Sequence, residues 1–182
     1  HDLQNHFVCL QELAGERDWE KLEAYLGRMR KGFSTIAKKK YDSGNNILDA
    51  LTSHLLSGIG DNVEVGFSAR LTGEISVDQM SLCAIYSNLL KNAVEALEKC
   101  DGREACRLNI EVLSNEKWIK IAIDNSVGED PVDLSGTSKP DKEHHGYGIG
   151  IVREQVGRCG GELTFSRKGN MFCVRVTLPN GK

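Results

Sequence analysis

No apolar run in the sequence approaches the roughly 20 residues that a helix needs to cross a bilayer. No N-terminal stretch has the layout of a secretory signal either. Charge of one sign is not in large excess: 23 Lys and Arg stand against 26 Asp and Glu, a net charge of −3. That balance gives no reason to expect nucleic acid or an acidic membrane surface as a partner. Cysteine is present, as Cys9, Cys83, Cys100, Cys106, Cys159 and Cys173, but C-x-x-C pairs and zinc-type spacings are lacking. Most of these thiols fall in apolar periodic segments, where a free Cys behaves as a small hydrophobe, so reduced core thiols are expected. Cys100 and Cys106 flank a Gly-containing turn and are the pair to test for a disulfide. An initiator Met is also lacking. The chain opens on His1, which reads as a fragment or processed product with an upstream part missing. What is there, 27% charged and 40% hydrophobic residues, is the composition of a soluble globular protein. The length suits one sizeable α/β domain plus a small extra element.

The first forty residues read as a helical hairpin. Leu3, Phe7, Leu10 and Ala14 recur at helical steps, and Gly15-Glu16-Arg17-Asp18 interrupts them. Trp19, Leu22, Leu26, Met29, Phe33 and Ile36 then alternate steps of three and four, an a/d heptad seam. Two short helices cannot bury such a seam alone. A second copy would complete a four-helix bundle, so a homodimer is expected; packing of the seam on the rest of the chain is the alternative. Residues 38–46, basic and turn-prone, read as a linker.

Beyond it the pattern is mixed. Helices are expected over 46–58, 79–99 and 150–159, the last stopped by Gly160-Gly161. Strands are expected from Val63, at 74–77, over 107–113 and 117–124, and as a closing hairpin, 162–167 and 171–178, turned at Lys168-Gly169-Asn170. Residues 126–145 lack periodicity, and so long a loop in a compact domain is usually functional. Helices with an antiparallel sheet imply an α+β fold, a two-layer α/β sandwich.

Three features carry chemistry. Asn88 and Asn92 lie four apart, on one helical face. Asn is a poor helix former, and amide oxygens are hard ligands suited to Mg²⁺; two polar positions on a solvated face are the alternative. Asp124 ends an apolar strand, where a carboxylate can accept a hydrogen bond from an adenine amino group. Gly146-Tyr147-Gly148-Ile149-Gly150 opens a helix, where backbone N–H groups can approach a phosphate. The dinucleotide fingerprint is excluded by the glycine spacing and by the lack of a βαβ unit with a downstream ribose acid, and a Walker loop by the lack of Gly-Lys-Ser/Thr.

Asparagine helix, strand-end aspartate, long loop and glycine turn, in this order, resemble the GHKL ATPase superfamily of gyrase, Hsp90, histidine kinases and MutL. The resemblance covers roughly residues 44 to 180. It implies a GHKL (Bergerat) sandwich over 41–182 that binds ATP and Mg²⁺. By resemblance Asn92 and Asn88 would bind the metal, and Asp124 the adenine amine. Gly146, Gly148 and Gly150 would border the phosphates. Residues 126–145 would be the lid, with Lys139, Lys142, His144 and His145 at its end. The motif departs from Asp-x-Gly-x-Gly, reading Asp124-Asn125-Ser126-Val127-Gly128, the shortened form of the peptide-quorum-sensing (Agr-type) branch. Hydrolase branches carry a water-activating glutamate where this chain has Asn88, and an amide is no general base. That implies phosphate transfer over hydrolysis.

The opening His1-Asp2-Leu3-Gln4-Asn5-His6 resembles the phosphoacceptor box of the same branch. It implies that His1 accepts the γ-phosphate, Asp2 orients or deprotonates the imidazole and Asn5 serves later dephosphorylation of the partner. The whole resembles the cytoplasmic part of a bacterial sensor histidine kinase. Residues 1–40 would form the dimerising phosphotransfer hairpin, with a response regulator as partner and membrane contact only through a missing upstream sensor. Such a truncated chain is expected to bind nucleotide well but to dimerise and autophosphorylate poorly. A GHKL serine kinase of anti-sigma type and a non-catalytic phosphotransfer or scaffold protein are the other readings.

Overall fold

The structure is a computed structural model that describes residues 2–30, 41–99, 106–128 and 147–181. The chain divides into two compact units, residues 1–38 and 39–182. Among the described residues no helix is long and apolar enough to cross a membrane.

The first unit holds helices α1 (Asp2–Gly15) and α2 (Trp19–Arg30). The reversal between them is closed by hydrogen bonds from Arg17 N to Ala14 O and from Asp18 N to Leu13 O. This is a Schellman closure, and its left-handed residue is Arg17 (φ 56°), not Gly15. Asp18 then caps α2, accepting from Lys21 N at 3.2 Å. On the seam, Leu22 is half-buried while Trp19 and Leu26 stay exposed, as does Val8 on α1. Phe33 and Ile36 lie outside the described residues.

The second unit is a two-layer α/β sandwich. Helix α3 (Asn46–Leu55), strand β1 (Val63–Arg70), helix α4 (Gln79–Glu98) and strands β2 (Cys106–Ser114) and β3 (Trp118–Ser126) come first. Helix α5 (Tyr147–Arg158) and strands β4 (Glu162–Lys168) and β5 (Met171–Pro179) follow. The strands form one sheet in the order β1-β2-β3-β5-β4. It is mixed, not purely antiparallel. The long α4 carries the chain back to the end at which β1 began, so β1 pairs with β2 in parallel, Val63 opposite Cys106. The remaining pairs are antiparallel.

Alternation explains the layering. Leu108, Ile110 and Val112 of β2, Ile119, Ile121 and Ile123 of β3, and Val174, Val176 and Leu178 of β5 are all buried. They pack with Leu82, Ile85, Tyr86, Leu89, Leu90 and Ala93 of α4, Val152 and Val156 of α5 and Leu48 of α3. The other sheet face carries Arg107, Lys120 and Arg175 and is open. Asp78 caps α4 through Ser81 N at 2.9 Å, and Asn45 caps α3 through Ile47 and Leu48 N. The buried Tyr86 phenol meets Thr52 Oγ1 at 2.6 Å and ties α4 to α3. Burial pushes that phenol up to about 12, so it stays a neutral donor.

Two further expected features differ. The end of the supposed linker is built into the sandwich. Tyr41 is buried edge-on against Phe67 at 5.0 Å. Ser43 is buried, donates its N–H to Asp49 Oδ1 at 2.7 Å and accepts from Leu71 N at 2.8 Å. Residues 74–77 form no strand. They are held by the side chain of Asn180, which accepts from Ser76 N (2.8 Å) and donates to Glu74 O (3.2 Å) and Asn115 O (2.7 Å). Asn180 is 2% exposed and its bonds are part-buried, so its removal leaves several partly buried backbone groups without their partner. Asn180→Ala is expected to lower stability by about 2–3 kcal/mol, read as a lower urea midpoint at unchanged m.

Candidate functional site

The site is built where α4 meets α5. The two helices run antiparallel, linked at one end by Ser81 Oγ donating to Gln155 Oε1 at 3.0 Å. At the other end the first turn of α5 faces Asn88 and Asn92. Asn88 donates its Nδ2 to Ala84 O at 2.7 Å, which fixes its amide and turns its Oδ1 away from the helix backbone. A Cβ on Gly148 would sit 3.2 Å from Asn92 Oδ1 and 3.3 Å from Asn88 Oδ1. Both amide oxygens thus converge on the backbone of Gly148, and only glycine fits there without displacing them. Gly148 costs helix stability, about 1 kcal/mol relative to Ala, which is consistent with a requirement for close approach. Gly150 has no such constraint, since a Cβ there would have nothing within 4 Å.

Asn92 Nδ2 is buried and, among the described residues, has no hydrogen-bond partner. A buried amide N–H without a partner costs about 1–3 kcal/mol, so this group is placed for something other than stability. Among the described residues no cluster of three His, Cys, Asp or Glu could hold a metal. A cation here would rely on amide oxygens, water and the ligand's own phosphates, which is the donor set that suits Mg²⁺. The first turn of α5 adds N–H groups without helical partners and the positive end of the helix dipole.

Asp124 is not part of this cluster. Residues 119, 121 and 123 point toward the helices, so the period of two puts 124 on the open face. There its carboxylate is gripped by Arg175 of β5: Nη1 contacts Oδ1, and Nη2 donates to Oδ2 at 2.9 Å. Those hydrogen bonds hold the Arg175 guanidinium above its usual range. Burial, and then the hydrogen bond to Asp124, push the Cys173 thiol up on the same face. The inward residue is Asn125, 2% exposed, with Nδ2 donating to Ser126 O at 3.0 Å. Counting the alternation one residue further would have found it. Arg175 gave no sequence signal, because its pairing depends on strand register.

His1, Lys139, Lys142, His144, His145 and Gly146 lie outside the described residues. Asp2 and Asn5 belong to α1, but their side chains are outside the description too. Cys106 and Cys173 are buried, His54 is exposed, and Cys100 is outside the described residues.

A five-stranded mixed sheet under three helices, with an asparagine pair facing a glycine turn, defines a two-layer α/β sandwich. The GHKL domain model matches residues 77–179, more than half of the chain, and the chain belongs to that family. No curated protein matches the sequence. Solved structures do. The mycobacterial sensor histidine kinase MprB aligns over 74% of this chain and 94% of its own, at 15% identity and TM-score 0.57. The catalytic domain of histidine kinase ThkA, in a nucleotide-free form, aligns over 77% and 96%, at 17% identity and TM-score 0.60. The histidine kinase domain of the blue-light-activated kinase of Erythrobacter litoralis EL346 aligns over 87% and 72%, at 18% identity and TM-score 0.55. At these identities the likeness is one of fold.

Proposed function

We propose that the chain is an ATP-dependent protein histidine kinase of a two-component system, of the peptide-quorum-sensing branch. The observation that carries the reading is the convergence of the Asn88 and Asn92 amide oxygens on the backbone of Gly148 at the start of α5. Asn88 and Asn92 would hold Mg²⁺, which supplies neutralisation of phosphate charge. Gly148, with Gly146 and Gly150, lets the backbone approach the phosphates, and Lys139 and His145 add cationic or polar groups from the lid. Asn88 cannot deprotonate water, so the site spares ATP for transfer. The imidazole of His1 attacks the γ-phosphorus, an N–P bond forms, and the bond to the ADP oxygen breaks. Asp2 orients the ring, and Asn5 serves the later dephosphorylation of a response regulator. Catalysis is then mostly positioning and charge neutralisation.

Exposed Trp19, Leu26 and Val8 support residues 1–40 as a dimerising hairpin, because a second copy would cover them. The test is incubation with Mg²⁺ and γ-labelled ATP of the chain, of a version extended upstream of His1, and of His1→Gln. An acid-labile, base-stable label lost in His1→Gln is expected. ATP binding with no label in either histidine-bearing version would overturn the kinase reading in favour of a serine kinase or scaffold.

A further inference from the structure

We infer that Asn125, and not Asp124, is the residue that makes this site specific for adenine. The inference rests on the proposed ATP binding and adds what discriminates the base. Asp124 is removed from consideration by two observations: it lies on the open sheet face, and both its oxygens are engaged by Arg175. Asn125 is the polar residue that continues the inward series of Ile119, Ile121 and Ile123 at the end of β3, on the face covered by the helices.

Its amide has a defined orientation. Ser126 O is a carbonyl and only accepts, so the group 3.0 Å from it is the Asn125 NH₂. The Oδ1 is therefore turned the other way, and no donor among the described residues reaches it. A freely rotating Asn would present either a donor or an acceptor to a base. Held by Ser126, Asn125 presents an acceptor. Adenine offers an N–H donor at its six position, and guanine offers an oxygen acceptor there. An amide oxygen aimed at that position binds the first and repels the second, and an acceptor that the base covers without pairing adds to the discrimination. The group is also neutral, so burying it costs less than burying a carboxylate.

The experiment compares affinities of the whole chain for ATP, GTP and purine riboside triphosphate, which lacks the six-amino group, by calorimetry. The wild-type chain is expected to bind the desamino nucleotide about tenfold more weakly than ATP, and GTP more weakly still. In Asn125→Leu, ATP and the desamino nucleotide should bind alike, which closes a cycle between residue and base atom. Asp124→Asn should leave the ATP affinity and its preference over GTP unchanged. Asn125→Asp should keep the adenine preference at lower stability, since a carboxylate would face the Ser126 carbonyl.

Equal affinity of the wild-type chain for ATP and the desamino nucleotide would overturn the inference. So would loss of ATP binding in a folded Asp124→Asn. Should Asn125→Leu not fold, the wild-type ligand series and Asp124→Asn still decide. A wild-type chain that binds none of the nucleotides overturns the ATP reading itself, a distinct result from binding without base preference.

Discussion

Replacing Asn92 by Leu is expected to weaken Mg²⁺-dependent ATP binding on the order of 100-fold and at the same time to raise the stability of the sandwich by about 1 kcal/mol. The two effects have one cause. Asn92 presents its Oδ1 to the first turn of α5 and leaves its Nδ2 buried without a partner. In the ligand-free fold that donor is a liability, because it lost its hydrogen bonds to water and gained none. Leu is close in volume, favours a helix more than Asn, and removes the orphan. What it cannot do is offer an oxygen to a cation or a nitrogen to a phosphate. Calorimetric titration with Mg·ATP and a thermal melt of the same preparation separate the two effects. A drop in both melting temperature and affinity would mean that Asn92 is a structural residue and that the site lies elsewhere.

The second large effect is expected at Gly161, far along α5 from the glycine turn. Gly160 takes a left-handed φ of 66°, and Gly161 donates its N–H to Val156 O at 2.9 Å, a Schellman closure of α5. The chain then enters β4 pressed against β5. A Cβ on Gly161 would lie 2.6 Å from Thr177 O and 2.6 Å from Leu178 Cδ2. Thr177 O belongs to a strand paired on both sides and cannot yield, so Gly161→Ala should destabilise by about 3 kcal/mol. Gly160→Ala is the comparison: it has open space but a left-handed backbone, and should cost about 1 kcal/mol. Urea denaturation of the two variants checks the order. Equal losses would show that backbone conformation, not contact, governs this end of α5.

Much of this fold is local pattern. The apolar positions of α4 recur at helical spacing along 20 residues, and the strands announce themselves by period-two alternation, so element types follow from side-chain periodicity alone. The pairing of Asn88 with Asn92 is likewise local, since a spacing of four puts them on one helical face. The sequence also marks both ends of α5 through glycine, because glycine is costly wherever a Cβ would be tolerated. Other features needed the third dimension. The parallel pairing of β1 with β2 depends on where α4 returns the chain. Residues 74–77 look like a strand, but Asn180, remote in sequence, takes up the backbone groups a neighbouring strand would have paired. Asp124 looks like the chemical residue of its strand until register brings Arg175 diagonally across from it and the pleat turns it to the open face. Periodicity and spacing act within one element, where the backbone sets geometry. Which carboxylate is neutralised, which amide is left unpaired and which glycine has no room are set by neighbours that meet only when the sheet and helices close on one another.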